Sequence, residues 1–205
     1  MKAVFICPMT DTLKAAAVEI HADTDQIGTV NFHEYNPDGT RVLPFVAAYF
    51  QDYYEQRKPF KNFLRSEITK GILRHPPFYL ALHDDATDLE ANALKELMIA
   101  CGAKEAAVSM EYRAFLLSTE PDFIAVTASK RAISITHVIS GQDETERLFL
   151  PITDADSISV KNAVAELDTT EKLPIFTYDL PDSLEHIGEP VSAQTLIMNF
   201  LRLCE

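Results

Sequence analysis

The sequence predicts an α/β protein, a mixed sheet with helices on its faces. Apolar residues recur with a period of two in some stretches and of about 3.6 in others, which is how strands and amphipathic helices alternate along one chain. Turn-forming clusters such as Asn36-Pro37-Asp38-Gly39 and Pro76-Pro77 separate the two patterns. The chain has 205 residues, 47% of them apolar and 24% charged, enough to bury a core, and 1–205 is expected to form a single domain.

Taken in order, "KAAAVEIHA" and "GTVNFHEYNP" read as two strands of a hairpin turning at "DTDQIG". From Val42 to about Tyr54 the spacing of Val42, Phe45, Val46, Tyr49, Phe50 and Tyr53 predicts a helix with an aromatic stripe facing the core. Pro59 is expected to interrupt, with "KNFLRSEITKGILRH" resuming a shorter helix. "FYLALH" reads as a buried strand. A helix comes next, capped by Thr87 or Asp88, presenting Ala91, Leu94, Leu97, Met98 and Cys101 and ending at Gly102. Then come a strand at "EAAVSM", a short helix around "YRAFLLS", and strands at "DFIAVTA" and "AISITHVIS". Phe78–Leu82, Ala106–Ser109 and Phe123–Val126 are expected to lie side by side and parallel in one sheet, because each crossover carries a helix. The last third offers a strand at "LFLP", a helix at "SVKNAVAEL", a Pro-punctuated acidic loop, and a final helix. Ser192 is expected to cap that helix, whose Leu196, Ile197, Phe200, Leu201 and Leu203 are expected to dock within the chain, the alternative being a partner subunit. No internal repeat is evident.

Charge narrows the function. At a net charge of −13 the surface repels phosphate backbones, so nucleic acid is not an expected partner. The local basic cluster Arg57, Lys58, Lys61, Arg65, Lys70 and Arg74 is interspersed with Glu55 and Glu67 and reads as a solvated helix face. Cys7, Cys101 and Cys204 form no CxxC pair and read as reduced thiols. No apolar run is long enough for a membrane helix and the N-terminus lacks a signal-peptide pattern, so the expected location is the cytoplasm.

Catalytic motifs are few. "LHDDATD" sets His83, Asp84, Asp85 and Asp88 just after a strand of an open sheet, where carboxylates hold Mg²⁺ or act as acid and base, or else cap the adjoining helix. The six histidines are scattered: His21 and His33 are expected to face each other across the first hairpin, and His137 to be a partly buried, hydrogen-bonded residue. No nucleophile elbow, Walker loop or zinc motif is present, and no metal site is expected.

The order of helix, basic linker, strand, helix ending in "ACGAKEAAVSMEYRAF", and two further strands resembles the bacterial actin-like proteins of the MreB type, within the actin, sugar-kinase and heat-shock ATPase superfamily. The resemblance covers residues 42–141 and implies an actin-like, ribonuclease-H-like core. In that family a helix ending in "aGA" precedes a strand and an "EEPxAA" segment whose glutamate positions the attacking water. A "DxGGGTT" hairpin then holds nucleotide phosphates on its backbone amides. Carried over, Glu111 falls on the glutamate, while Tyr112 and Arg113 differ from the residues that come next in the family. Thr127 falls on the aspartate of the hairpin, and Ser129, Lys130 and Arg131 on its glycines. Glycines serve there because phosphate must approach the backbone closely, which long side chains obstruct. The family's other loop, "DxGTxNT", has an echo at "DQIGTVNF", where Asp25, Gly28, Thr29 and Asn31 match in type, although the stretch to the helix at Val42 is shorter than in the family.

The resemblance therefore implies a non-catalytic assembly or regulatory module with a degenerate nucleotide site and no resident cofactor, working through a protein partner or self-association. The alternative is a small Mg-dependent ATP-binding or phosphate-handling enzyme using Glu111, Asp84, Asp85 and Lys130.

Overall fold

The structure, a computed structural model, describes residues 2–9, 12–19, 30–36, 53–70, 75–141, 145–170 and 172–204. The chain divides into two compact units, Met1–Leu82 with Ala86–Glu111 and His83–Asp85 with Tyr112–Glu205.

The first unit is built on a five-stranded sheet of β1 (Lys2–Pro8), β2 (Leu13–Glu19), β3 (His33–Tyr35), β4 (Phe78–Leu82) and β5 (Val108–Tyr112), in the order β3-β2-β1-β4-β5. β1 is not among the strands the sequence predicts. Its "KAVFICP" does not alternate because Ala3 to Cys7 are all buried, as in a central strand covered on both faces. It pairs antiparallel with β2 and parallel with β4. β2 and β3 form the expected antiparallel pair, but the register sets Ala15 opposite His33, so His33 does not face the position predicted for His21. His33 lies instead 3.7 Å from Glu67.

The aromatic helix expected from Val42 falls outside the described residues up to position 52. From Tyr53 the chain is helical: α1 (Tyr53–Phe63) passes through Pro59 and continues as a π-helical turn, Leu64–Ile68. Pro59 therefore does not interrupt. It lies on the exposed side, while Phe60, Leu64 and Ile68 are buried. Tyr35 meets Phe60 and Phe63 at ring-centroid distances of 5.0 and 5.3 Å. α2 (Asp88–Cys101) matches its prediction: Thr87 and Glu90 form a capping box, and Gly102 ends the helix at φ 114, a left-handed conformation glycine adopts without a Cβ penalty. Part of the strand predicted at "EAAVSM" is a 3-10 turn, Glu105–Ala107.

The second unit carries β6 (Asp122–Ala128), β7 (Ala132–Ile139), β8 (Glu146–Pro151), β9 (Ile175–Tyr178) and β10 (Glu189–Pro190), in the order β10-β9-β6-β7-β8. α3 (Ser157–Leu167) packs Val160, Ala163 and Val164 onto Ile124, Val126, Ile133 and Ile135. α4 (Ala193–Leu203) buries Leu196, Ile197 and Phe200, and its Asn199 Nδ2 donates to Leu116 O at 2.9 Å, so it docks within the chain as expected. Leu201 is only half-buried and Leu203 is exposed.

Two expectations need correction. β4 and β5 are neighbours in one sheet, but Phe123–Val126 belongs to β6 of the other. And a repeat exists: counting each unit's strands from its own first, both sheets have the order 3-2-1-4-5, and both open with an antiparallel hairpin. The repeat is one of topology, which a search for recurring residues does not detect.

Candidate functional site

The hairpins β1–β2 and β6–β7 occupy corresponding places and close alike. Pro8 pairs with Leu13 and Ala128 with Ile133. Across the turns Met9 N donates to Thr12 O at 2.7 Å and Ser129 N to Ala132 O at 2.9 Å. Neither turn sequence, "MTDT" or "SKRA", contains glycine. The echo at "DQIGTVNF" lies after β2 instead of joining β1 to it, and its Asp25, Gly28 and Thr29 lie outside the described residues.

Around the β6–β7 turn a polar cluster gathers residues from distant parts of the sequence. Ser129 Oγ accepts from the amides of Arg131 at 2.9 Å and Ala132 at 3.1 Å, and donates to Asp85 Oδ2 at 2.6 Å. Arg131 grips Asp85 twice, Nε to Oδ2 at 2.9 Å and a terminal nitrogen to the main-chain oxygen at 2.7 Å. Asp84 accepts from Thr127 Oγ1 at 2.5 Å and from the Ala114 amide at 2.9 Å, while Arg147 donates to its main-chain oxygen at 2.8 Å. The segment His83–Asp85 is thus bound to the hairpin tip through both its side chains and its backbone.

Burial pushes the Asp84 carboxyl above its ordinary range; the bonds from Thr127 and Ala114 and the charges of Arg147 and Arg113 oppose that shift without cancelling it. Arg113 is completely buried. Its guanidinium lies 3.4 Å from Asp179 Oδ2 and 5.5 Å from the centre of the Tyr178 ring. Asp179, at φ 59, adopts the left-handed conformation that Asp tolerates better than most residues.

The structure brings Asp84, Asp85, Thr127, Ser129 and Arg131 together. Lys130 is half-buried at the turn, and Glu111 is half-buried in β5. Asp88 opens α2, so of the acidic "LHDDATD" cluster only Asp84 and Asp85 enter the network. Sequence reasoning missed Arg113, Arg147 and Asp179; the one signal was an arginine inside the apolar run "YRAFLL". Among the described residues no group of His, Cys, Asp and Glu is arranged to hold a metal ion. His137 is partly buried and 2.7 Å from Asp122 Oδ1, in line with its expected role. Chemically, the amides of Ser129, Arg131 and Ala132 already have oxygen partners, and the Asp85 carboxylate at the tip is ion-paired with Arg131.

Two five-stranded sheets of this order, flanked by helices, define an actin-like ATPase fold. Among solved structures the chain is similar to the ethanolamine utilization protein EutJ from Carboxydothermus hydrogenoformans, with a TM-score of 0.61 and 10% identity over 98% of this chain and 88% of that one. It is also similar to the cytoplasmic domain of EpsL, an inner membrane component of the type II secretion system of Vibrio cholerae (TM-score 0.51, 10% identity, 98% and 95% covered). ADP-bound MreB5 of Spiroplasma citri aligns at a TM-score of 0.47 and 13% identity over 82% of this chain, which spans 58% of that protein. Comparison with protein-family profiles gives no match, and comparison with curated proteins gives none. Identities this low establish the fold alone. No described helix is long and apolar enough to cross a membrane.

Proposed function

We propose that the chain is a non-catalytic, MreB-related module that keeps the actin-like scaffold for assembly or regulation in the cytoplasm, through a protein partner or its own copies, and carries a degenerate nucleotide site. The observation that carries this reading is Ser129. Its hydroxyl accepts from the amides of Arg131 and Ala132, the groups a phosphate cradle would present, and donates a hydrogen bond to Asp85. A phosphate at this tip would have to displace those bonds and compete with the Asp85 carboxylate for Arg131. Both carboxyl oxygens of Asp84 are committed, to Thr127 and Ala114, and Asp85 Oδ2 is committed to Ser129 and Arg131, which leaves the alternative reading Asp85 Oδ1 alone, a buried oxygen with no hydrogen-bond partner among the described residues. The MreB relationship rests on the pattern of residues 42–141. The EpsL domain supplies a precedent for this fold in a component of a larger system.

Thermal denaturation with and without Mg²⁺-ATP tests the proposal. A ligand at a hundred times its dissociation constant adds about 2.7 kcal/mol, a shift of several degrees for a chain of this size. The expected result is no shift and no phosphate release. A saturable shift, with turnover that falls about a hundredfold or more in Glu111→Gln, would establish the enzyme instead.

A further inference from the structure

β8 borders its sheet, with β7 inside and no described strand outside. In an antiparallel ladder, residues alternate between turning their N–H and C=O toward the partner strand and turning them away. Ile152 N donates to Arg131 O at 2.9 Å, and the register continues as Leu150 opposite Ile133 and Leu148 opposite Ile135, so these residues face β7. Arg147 and Phe149 therefore turn their main-chain groups outward. The next outward residue, Pro151, has no N–H, and its carbonyl accepts from Asp154 N at 2.9 Å. The open edge is a short code: N–H and C=O of Arg147, then N–H and C=O of Phe149.

Sheet edges are usually defended by shortness, proline or charge. β10, at the opposite edge, is two residues long, and because Val191 N donates to Thr177 O its outward residue is Pro190. β8 has neither device over Arg147–Leu150. The charge of Arg147 is drawn back to Asp84 O at 2.8 Å and over the Tyr112 ring. Leu148 and Leu150 pack on the core, while Phe149 on the other face is 48% exposed.

We propose that β8 pairs antiparallel with β8 of a second copy, about a two-fold axis at Leu148, setting Arg147 opposite Phe149 of the other chain. A two-fold contact must match a surface to itself. In this register each outward N–H of Arg147 and Phe149 meets an outward C=O in the other copy. Shifting to Phe149 opposite Phe149 aims Arg147 at Pro151, which cannot return a bond. The chosen register opposes no like charges, and each Arg147 guanidinium stays held within its own chain by Asp84 O and the rings of Tyr112 and Phe149. The inference names the partner for the assembly role proposed above, yet it rests on β8 alone. Nucleotide binding by a dimer defeats that role and leaves the pairing intact; a monomer that ignores nucleotide does the reverse.

Sedimentation velocity on the full chain over about 1–200 μM covers the range expected of a small interface. The expected result is a concentration-dependent dimer. Phe149→Pro removes an outward donor without touching a β7 bond and is expected to weaken the dimer about tenfold or more, as losing one net hydrogen bond per copy implies. Phe149→Lys keeps the backbone, charges the edge, and is expected to do the same should proline perturb the strand. Leu148→Cys in a Cys204→Ser background is expected to form a disulfide dimer on oxidation, because position 148 then faces itself in a non-hydrogen-bonded pair about 4.5 Å apart. A monomer at every concentration, or a dimer indifferent to both Phe149 substitutions, overturns the proposal.

Discussion

Asp84 shows what one buried carboxyl does to the energetics. Its pKa is raised in the folded state, so its contribution to stability is fully present below the unfolded value near 3.8 and is lost as pH rises through the folded value. Asp84→Asn keeps an acceptor for the Ala114 amide and a group for Thr127. Its stability relative to wild type is therefore expected to rise as pH increases above the unfolded value near 3.8, measured by urea midpoints at each pH. A difference that does not change with pH would overturn the raised pKa of Asp84. Asp84→Ala strands the Ala114 amide and the Thr127 hydroxyl and is expected to cost about 2–4 kcal/mol. Ser129→Ala frees the amides of Arg131 and Ala132 and is expected to cost about 1–2 kcal/mol, read by the same titration. Asp84 and Asp85 stood out in the sequence because paired acids after a strand are conspicuous. Arg113 did not, because its partners Ala128 and Asp179 lie 15 and 66 positions away. Pairings of that reach depend on the fold.

Among the elements, those with local punctuation were readable and those without were not. α2 and α4 begin at Thr87 and Ser192, whose side chains accept from Glu90 N and Thr195 N. Thr87→Ala removes the capping box and is expected to cost about 1 kcal/mol by thermal or urea unfolding. Asp156 caps α3 in the same way, and bonds from the Ser159 amide and hydroxyl hold its carboxyl below the usual range. That contribution is present above the unfolded pKa and is lost as pH falls through the folded one. β9 and β10 are four and two residues long and lay hidden in a proline-rich stretch. Gly188, just before β10, is where they are most sensitive: a Cβ there would sit 2.6 Å from Ile175 O and 2.7 Å from Ile175 Cγ2. Gly188→Ala must move backbone, and is expected to cost about 1–3 kcal/mol by chemical denaturation. On α4 the sequence pointed to Leu196, Ile197, Phe200, Leu201 and Leu203, of which the first three are buried, Leu201 is half-buried and Leu203 is exposed. Phe200→Asp is expected to unfold the second unit and Leu203→Asp to be nearly neutral, as circular dichroism would report.

At the scale of the whole molecule, the α/β class followed from periodicity, whereas the matched sheets did not, because a shared strand order needs no shared residues. The net charge of −13 is concentrated in the second unit, which has 17 acidic and 7 basic residues against 14 and 11 in the first. Raising salt from about 0.05 to 0.5 M shortens the Debye length severalfold and is expected to raise the melting temperature by a few degrees, as calorimetry would register. A fall would mean that attractive pairs such as Arg131 with Asp85 outweigh the repulsion.

The bond between Ser129 and Asp85 has a further meaning in terms of supply. A freely diffusing ligand occupies its site in proportion to its concentration, whereas a tethered group is present at an effective concentration fixed by the chain. With Asp85 held against the turn by Ser129 and Arg131, the hairpin is filled from within in every copy. If copies assemble as proposed above, the shape of that assembly would not depend on the supply of a ligand for this turn.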